Sequence, residues 1–286
     1  MRIISALDRP GAFSIWDLAT LALLVVIGAL YYRGLARLTD RHAVRPWYET
    51  TAFAAGWLAL VVSVLPPLDS YAVRLFSVHM AQHELRMLVG ALLVTIGRPL
   101  PICLWGVPDR WRPSAAHALQ HPWTLNGWRA LTLPIVAWAL HGLTLWIWHL
   151  PALYDAAVAS EGVHALQHAM FVGTSVLFWY GLIYGRYGRV GYGAGVFYVF
   201  TTIIHTGILG ALVTLASSPL YPIYNAPTAA LGIDPISDQQ VAGLVMWVPA
   251  GIVLTFLGLA LFAAWLGEAE RRSNATTTIS EGLLWK

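Results

Sequence analysis

The chain has 286 residues, of which 58% are hydrophobic and only 11% are charged, whereas soluble domains carry roughly a quarter charged residues. A mean hydropathy of +0.63 therefore predicts a membrane-embedded protein in which apolar runs of about 20 residues recur. The net charge of +3 does not indicate a nucleic-acid partner, because the arginines concentrate in the loops between these runs. With one cysteine, Cys103, an intramolecular disulfide and a Cys-based metal motif are excluded.

Apolar runs bounded by charge, Gly or Pro predict an all-α polytopic membrane protein, a bundle of about seven transmembrane helices that forms a single domain over residues 1–286. Each run is long enough to cross about 30 Å of hydrocarbon. Proline pairs or single prolines mark the ends of several runs. The predicted helices cover residues 16–36, 48–65, 71–97, 130–150, 162–184, 193–216 and 238–266.

The positively charged residues predict how the bundle is oriented. One set of loops and the C-terminal tail hold Arg33, Arg37, Arg41, Arg45, Arg98, Arg110, Arg112, Arg129, Arg186, Arg189, Arg271, Arg272 and Lys286. The other side holds only Arg2, Arg9 and Arg74. Since cytoplasmic loops are enriched in Lys and Arg, the N-terminus is predicted outside and the C-terminus in the cytoplasm. The first apolar run lacks a cleavage pattern and is predicted to be a retained helix.

Two predicted helices each carry a pair of histidines four residues apart, His79 with His83 and His164 with His168. Residues at this spacing share one helix face, and polar side chains inside a bilayer are costly and often functional. With the predicted orientation, both pairs and His149 lie in the outer leaflet. Because neutral imidazole binds copper, zinc and iron, these five histidines are the candidate metal ligands.

Other residues are candidates for deeper ligands or for supporting positions around the cluster: His141, His205, Met80, Met246 and Asp238. The two methionines have an alternative role as core-filling side chains. Asp238 has an alternative role as the first-turn acid of the last helix, where a carboxylate is favourable.

A third copy of the histidine spacing provides a comparison. The string His117-Ala118-Leu119-Gln120-His121 is identical to the string from His164 to His168. It falls in a predicted cytoplasmic loop, where surface histidines are expected. The spacing alone therefore does not indicate a site; membrane depth distinguishes the copies.

Two charged residues of the third predicted helix need partners. Arg86 shares the face of His79 and His83, while Glu84 faces about 140° away from Arg86, as helical periodicity requires. We therefore expect Arg86 to reach a carboxylate or carbonyl on another helix or to hold an anionic group. The sequence leaves the roles of both residues open.

Several long segments resemble the CtaG-type cytochrome c oxidase assembly factors linked to caa-type oxidases. They are Pro67–Pro99 with His79 and His83, Trp146–Asp155 with His149, His164–Trp179, Leu220–Tyr224 and Asp238–Trp247. The resemblance implies a multi-pass protein of the bacterial plasma membrane that helps supply copper to cytochrome c oxidase subunits, whose copper centres face the outer side. The chain departs from the family pattern at Arg86, usually apolar, and at Ala91-Leu92-Leu93, where a proline is usual.

The leading hypothesis is a non-enzymatic assembly factor that binds or delivers copper. No phosphate-binding loop, Ser-His-Asp set or zincin helix occurs in the sequence, so an enzyme is not predicted. One alternative is a membrane cytochrome whose histidines ligate haem, and another is a metal-ion permease. Metal identity, the number of sites and the oligomeric state stay open.

Overall fold

The computed structural model describes residues 13–41, 45–185 and 192–284, with side chains as far as residue 271. Within these ranges the chain is helical and contains no strand. The helices are α1 (Ile15–Thr39), α2 (Trp47–Val62), α3 (Pro66–Ala72), α4 (Phe76–Ile96), α5 (Pro99–Gly106), α6 (Arg112–Gln120), α7 (Pro122–Leu131), α8 (Pro134–Trp148), α9 (Pro151–Ala159), α10 (Glu161–Tyr184), α11 (Tyr192–Thr214), α12 (Asn225–Ala229) and α13 (Pro235–Leu284).

The described helices provide between four and seven membrane spans. α1, α10, α11 and the Pro235–Arg271 part of α13 are each long and apolar enough to cross alone. The pairs α2–α3, α4–α5 and α7–α8 qualify only together and bend by 54°, 67° and 67°. A proline opens the second helix of each pair, where it has no intrahelical hydrogen bond to lose. The all-α, multi-pass prediction is confirmed. The predicted number of about seven spans is reached if each bent pair crosses the membrane as one span.

Some helix ends differ from the predicted ones. α2 ends at Val62 rather than at residue 65, because Pro66 starts a new, tilted helix. α13 continues to Leu284, well beyond the predicted end at residue 266. The prediction used the end of the apolar run, but a helix can continue past its lipid-facing part. Five charged residues used for the orientation, Arg2, Arg9, Arg186, Arg189 and Lys286, lie outside the described residues, and the orientation stays a prediction.

Helix α4 is the element around which the candidate site is organised. It packs against α2, α3, α10 and α13. Its middle, Leu85–Gly90, is a π-helical segment, a local widening of the helix that is frequent at functional sites. The segment begins two residues after His83, the second histidine of the α4 pair.

Glycines allow two of the helices to approach backbone to backbone. A Cβ atom at Gly34 of α1 would lie 1.9 Å from the carbonyl oxygen of Ile102, and one at Gly106 of α5 would lie 1.9 Å from the carbonyl oxygen of Leu30. Small residues at such crossings are the usual basis of tight helix packing in membranes. The crossing holds α5 against α1.

We expect Gly34→Ala to lower the thermal unfolding temperature in detergent, because the new methyl group overlaps the Ile102 carbonyl oxygen. The control is Gly251→Ala, where no atom lies within 4 Å. Both changes gain roughly 0.5–1 kcal/mol of helix propensity, so only the packing differs. Equal unfolding temperatures for the two variants would contradict the close crossing.

Candidate metal centre

Four histidine side chains from α4 and α10 converge on one point in the bundle. The Nε2 atom of His83 lies 3.0 Å from Nε2 of His79 and 3.0 Å from Nε2 of His168. Nε2 of His164 lies 3.4 Å from Nε2 of His79. His79, His164 and His168 can each turn a ring nitrogen to within 4.8 Å of the others. The two predicted pairs therefore form one cluster.

The spacing of these nitrogens suits a single metal ion. A tetrahedral ion with metal–nitrogen bonds of about 2.0 Å holds its ligand atoms about 3.3 Å apart. Three of the nitrogen pairs are separated by 3.0 to 3.4 Å, close to that value. Ring nitrogens this close are joined either by a hydrogen or by a cation that lies between them, so the cluster has the dimensions of a metal site.

Tyr224, the last residue of a short 3₁₀ turn, orients one of the rings. Its hydroxyl lies 3.2 Å from the carbonyl oxygen of Ala72, to which it donates, and 2.6 Å from Nδ1 of His79. Because the hydroxyl hydrogen is already used, it accepts a hydrogen bond from the His79 Nδ1–H group. This tautomer leaves the Nε2 lone pair of His79 pointing into the cluster, as a metal ligand requires.

Arg86 forms the edge of the cluster, and the partner that the sequence analysis expected on another helix is Ser63, at the end of α2. The Arg86 Nε–H donates to Ser63 Oγ and its NH2 group to the Ser63 carbonyl, both at 2.8 Å. A second guanidinium nitrogen donates to Nδ1 of His168, which places the hydrogen of the neutral His168 ring on Nε2, toward Nε2 of His83. The carbonyl-partner prediction is confirmed. The result is a fixed positive charge beside neutral imidazoles, which penalises a divalent ion more than a monovalent one.

Asp238 caps the beginning of α4. The sequence predicts it either as a ligand or supporting residue of the cluster or as the first-turn acid of the last helix. It does lie in the first turn of α13, but its buried carboxylate accepts hydrogen bonds from the backbone N–H groups of Phe76, at 2.7 Å, and Ser77, at 3.4 Å. The Ser77 hydroxyl also donates to it. Asp238 thus caps another helix and is not available to attract cations.

Sequence reasoning also missed the role of Gln82, which lies beside His83 and is fully buried. Its Nε2 group donates to the Ser63 carbonyl at 2.6 Å and to Asp69 at 3.2 Å. Glutamine precedes the second histidine in both pairs, at Gln82 and Gln167. This repeated position was the available signal, whereas no local pattern identifies Tyr224 or Ser63 as partners.

The fifth predicted ligand, His149, does not join the cluster. Its Nδ1–H donates to the Leu145 carbonyl at 2.7 Å, and its ring lies beside Phe171, whose other neighbour is the ring of His83. The Nε2 atom of His149 is buried and has no hydrogen-bond partner among the described residues. His149 is thus a potential ligand separated from the centre by an aromatic ring.

The other candidate residues lie in three different places. Met80 is fully buried in the apolar core. His141 and Met246 line a separate small cavity. His205 packs its ring on Trp138 and lies outside both the cluster and that cavity. The loop copy, His117 with His121, is exposed on and beside α6, as predicted.

A larger cavity of about 420 Å³ adjoins the centre between α1, α2, α4 and α10. Its walls are mostly apolar, and His164, His168 and Arg86 contribute polar groups on one side. Asp17 near the start of α1 and Glu161 at the start of α10 also line it. Two carboxylates and two cluster histidines therefore face the same space.

Comparisons with known proteins agree with this architecture. A family model described as "Cytochrome c oxidase caa3 assembly factor (Caa3_CtaG)" matches residues 29–268. An uncharacterized protein of Mycobacterium leprae is 26% identical over 277 residues, 91% of this chain and 40% of the relative. Uncharacterized proteins of Mycobacterium bovis and Mycobacterium tuberculosis are each 27% identical over 257 residues, 86% of this chain and 38% of theirs. The chain thus spans about two fifths of their length. No solved structure matches it.

We expect Tyr224→Phe to weaken Cu(I) binding about 10–100-fold, the usual cost of losing the partner that orients a metal-binding histidine. Tyr221→Phe is the matched control, because the Tyr221 hydroxyl is equally buried but donates to the carbonyl of His149. Competition with a chromophoric Cu(I) chelator measures both affinities. If the two variants bind alike, the orienting role of Tyr224 is wrong.

Proposed function

The chain belongs to the cytochrome c oxidase caa3 assembly factor family, and we propose that it serves oxidase assembly by binding copper at the centre formed by His79, His83, His164 and His168 and passing it to the oxidase. The observation that carries this proposal is the clustering of four imidazole rings, in which three Nε2–Nε2 pairs are separated by 3.0 to 3.4 Å. Imidazole is a good copper ligand.

The charge distribution supports copper in its monovalent state. The four rings are neutral ligands, and Arg86 adds a positive charge at their edge. A divalent ion therefore meets twice the repulsion of a monovalent one at the same distance. The same repulsion weakens binding, which is useful in a protein that must release its cargo.

The proposed role is non-catalytic. The cluster is built from histidines alone and lies behind apolar walls, with a hydrogen-bonded set of Tyr224, Ser63 and Gln82 around it. These contacts orient ligands but provide no activated nucleophile. Binding and transfer of a metal ion require nothing more.

The proposed location is a bacterial plasma membrane, with the centre in its outer leaflet, and the proposed partners are cytochrome c oxidase subunits. Four to seven candidate spans support a multi-pass membrane protein, and the relatives described above are mycobacterial, hence bacterial. Asp17 and Glu161 beside the cavity provide an acidic approach for a cation.

We expect His164→Ala/His168→Ala to lower the copper bound per purified chain by about one equivalent, because the centre loses two of its four histidines. The matched control is His117→Ala/His121→Ala, which changes the identical string on the exposed loop. Elemental analysis after Cu(I) loading gives the ratio. Cytochrome c oxidase activity of membranes from complemented deletion cells gives the functional effect.

The control variant should retain copper and support oxidase activity. The proposal fails if wild-type protein holds no copper after loading and the membrane-pair variant still assembles active oxidase. A variant that loses copper but unfolds at the wild-type temperature has lost ligands and not its fold.

The 420 Å³ cavity favours haem binding as a second candidate function. It is apolar, and two histidines of the cluster line it. However, the four rings pack against one another with centroids 3.9 to 5.8 Å apart, which leaves no gap for a macrocycle between them. A haem in this cavity would therefore have one axial histidine from the cluster and not two.

An absorption spectrum separates the two candidates. For copper binding we expect no Soret band in protein purified from haem-replete cells, and none after addition of haemin followed by desalting. A Soret band that disappears in His168→Ala but persists in His117→Ala would favour haem and contradict copper as the cargo of this centre.

A further inference from the structure

A second, smaller cavity lies on another face of α4, with mostly apolar walls and a few polar groups. It has a volume of about 50 Å³ and is lined by residues of α4, α8, α10, α11 and α13. This space holds one ion or one or two water molecules, and it is too small for an organic cofactor. Glu84, His141 and Ser175 are among its polar walls.

Glu84 is the unusual group in this cavity. It directly follows His83 but faces a different side of the helix, and no described residue donates a hydrogen bond or an ion pair to its carboxylate. A charged carboxylate in a membrane span costs several kcal/mol unless it is paired, so an isolated glutamate there either is protonated or pairs with a cation. A cation in the cavity would stabilise the charged form of Glu84.

His141 also lines this cavity, and its hydrogen bond favours a tautomer that can bind a metal ion. The Thr174 hydroxyl donates to the Met170 carbonyl at 2.8 Å and lies 3.4 Å from Nδ1 of His141. Since its hydrogen is used, it can only accept from the Nδ1–H group of His141. This tautomer leaves a lone pair on Nε2.

Two of the three hydroxyl groups that line the cavity present oxygen lone pairs to it. Thr202 and Thr206 donate their hydrogens to backbone carbonyls of their own helix, at 2.7 and 2.8 Å, so their lone pairs remain available. The Ser175 hydroxyl is fully buried and has no hydrogen-bond partner among the described residues. Such a group is rare in native proteins and indicates a missing ligand or water.

Two buried methionines line this cavity, Met87 and Met246, and their sulfur atoms indicate which kind of cation it would prefer. Thioether sulfur is a soft ligand that prefers Cu(I). We propose that Glu84, His141 and Met246 form a second metal site, for one soft monovalent cation such as Cu(I), distinct from the four-histidine centre. A monovalent ion neutralises the Glu84 carboxylate, whereas at the histidine centre it adds to the charge of Arg86.

The site is tested in the His164→Ala/His168→Ala background, where the first centre is disabled. Purified protein is loaded anaerobically with Cu(I) and analysed for copper per chain and by X-ray absorption. We expect about one copper per chain to remain, with sulfur among its neighbours. Adding Glu84→Gln and His141→Phe should remove the remaining copper. Adding His205→Phe should not, because His205 lies outside the cavity.

A volume-conserving change, Met246→Leu, keeps the test valid if the polar variants fold poorly. It should abolish the sulfur signal while leaving the unfolding temperature close to that of the parent. The second site is disproved if the folded background variant binds no copper, if bound copper has only nitrogen and oxygen neighbours, or if His205→Phe removes it equally.

The result is independent of the first centre. If wild-type protein and His164→Ala/His168→Ala bind the same copper, the proposed function of the histidine centre fails. If Glu84→Gln/His141→Phe in an otherwise wild-type chain binds as much copper as wild type, the second site fails.

Discussion

The hydrogen bonds that the Asp238 carboxylate accepts from the backbone of Phe76 and Ser77 fix the point at which α4 begins. Once that point is set, helical geometry places His79 one turn into the helix and His83 a further turn along it. Inside hydrocarbon each of these polar groups needs a partner, and α10, α2 and the Tyr224 turn supply them. The centre therefore depends on a contact between α4 and α13 that contains no histidine.

Sequence periodicity was sufficient to predict the helical bundle and both membrane histidine pairs, because apolar length and the four-residue spacing are local properties. It predicted His149 in the cluster because of its predicted membrane depth, but depth does not determine where a side chain points. The ring of Phe171 lies between the rings of His149 and His83. The partners of the centre, Ser63 and Tyr224, come from distant segments and could not be predicted from spacing. The π-helical segment in α4 is likewise set by packing.

The identical strings on α6 and α10 show how context determines what a motif can do. On and beside α6 both histidines are exposed, and Nδ1 of His121 accepts a hydrogen bond from the Trp123 backbone N–H. On α10 the same five residues lie against α4, where His164 is buried and the rings must find partners in one another. Arg86 on one face of α4 contacts the histidine cluster, whereas Glu84 on another face lines the smaller cavity.

The 420 Å³ cavity has a consequence for kinetics. α4 is held on its α13 side by Asp238, and the segment before it by Tyr224 and Thr228, whose hydroxyls donate to the Ala72 and Arg74 carbonyls. The cavity, by contrast, lies beside the α10 wall. Separating the rings therefore costs least when α10 shifts into that space. A lipid acyl chain that fills the cavity would block this shift of α10. The lipid composition of the membrane would therefore affect how long the ion stays bound.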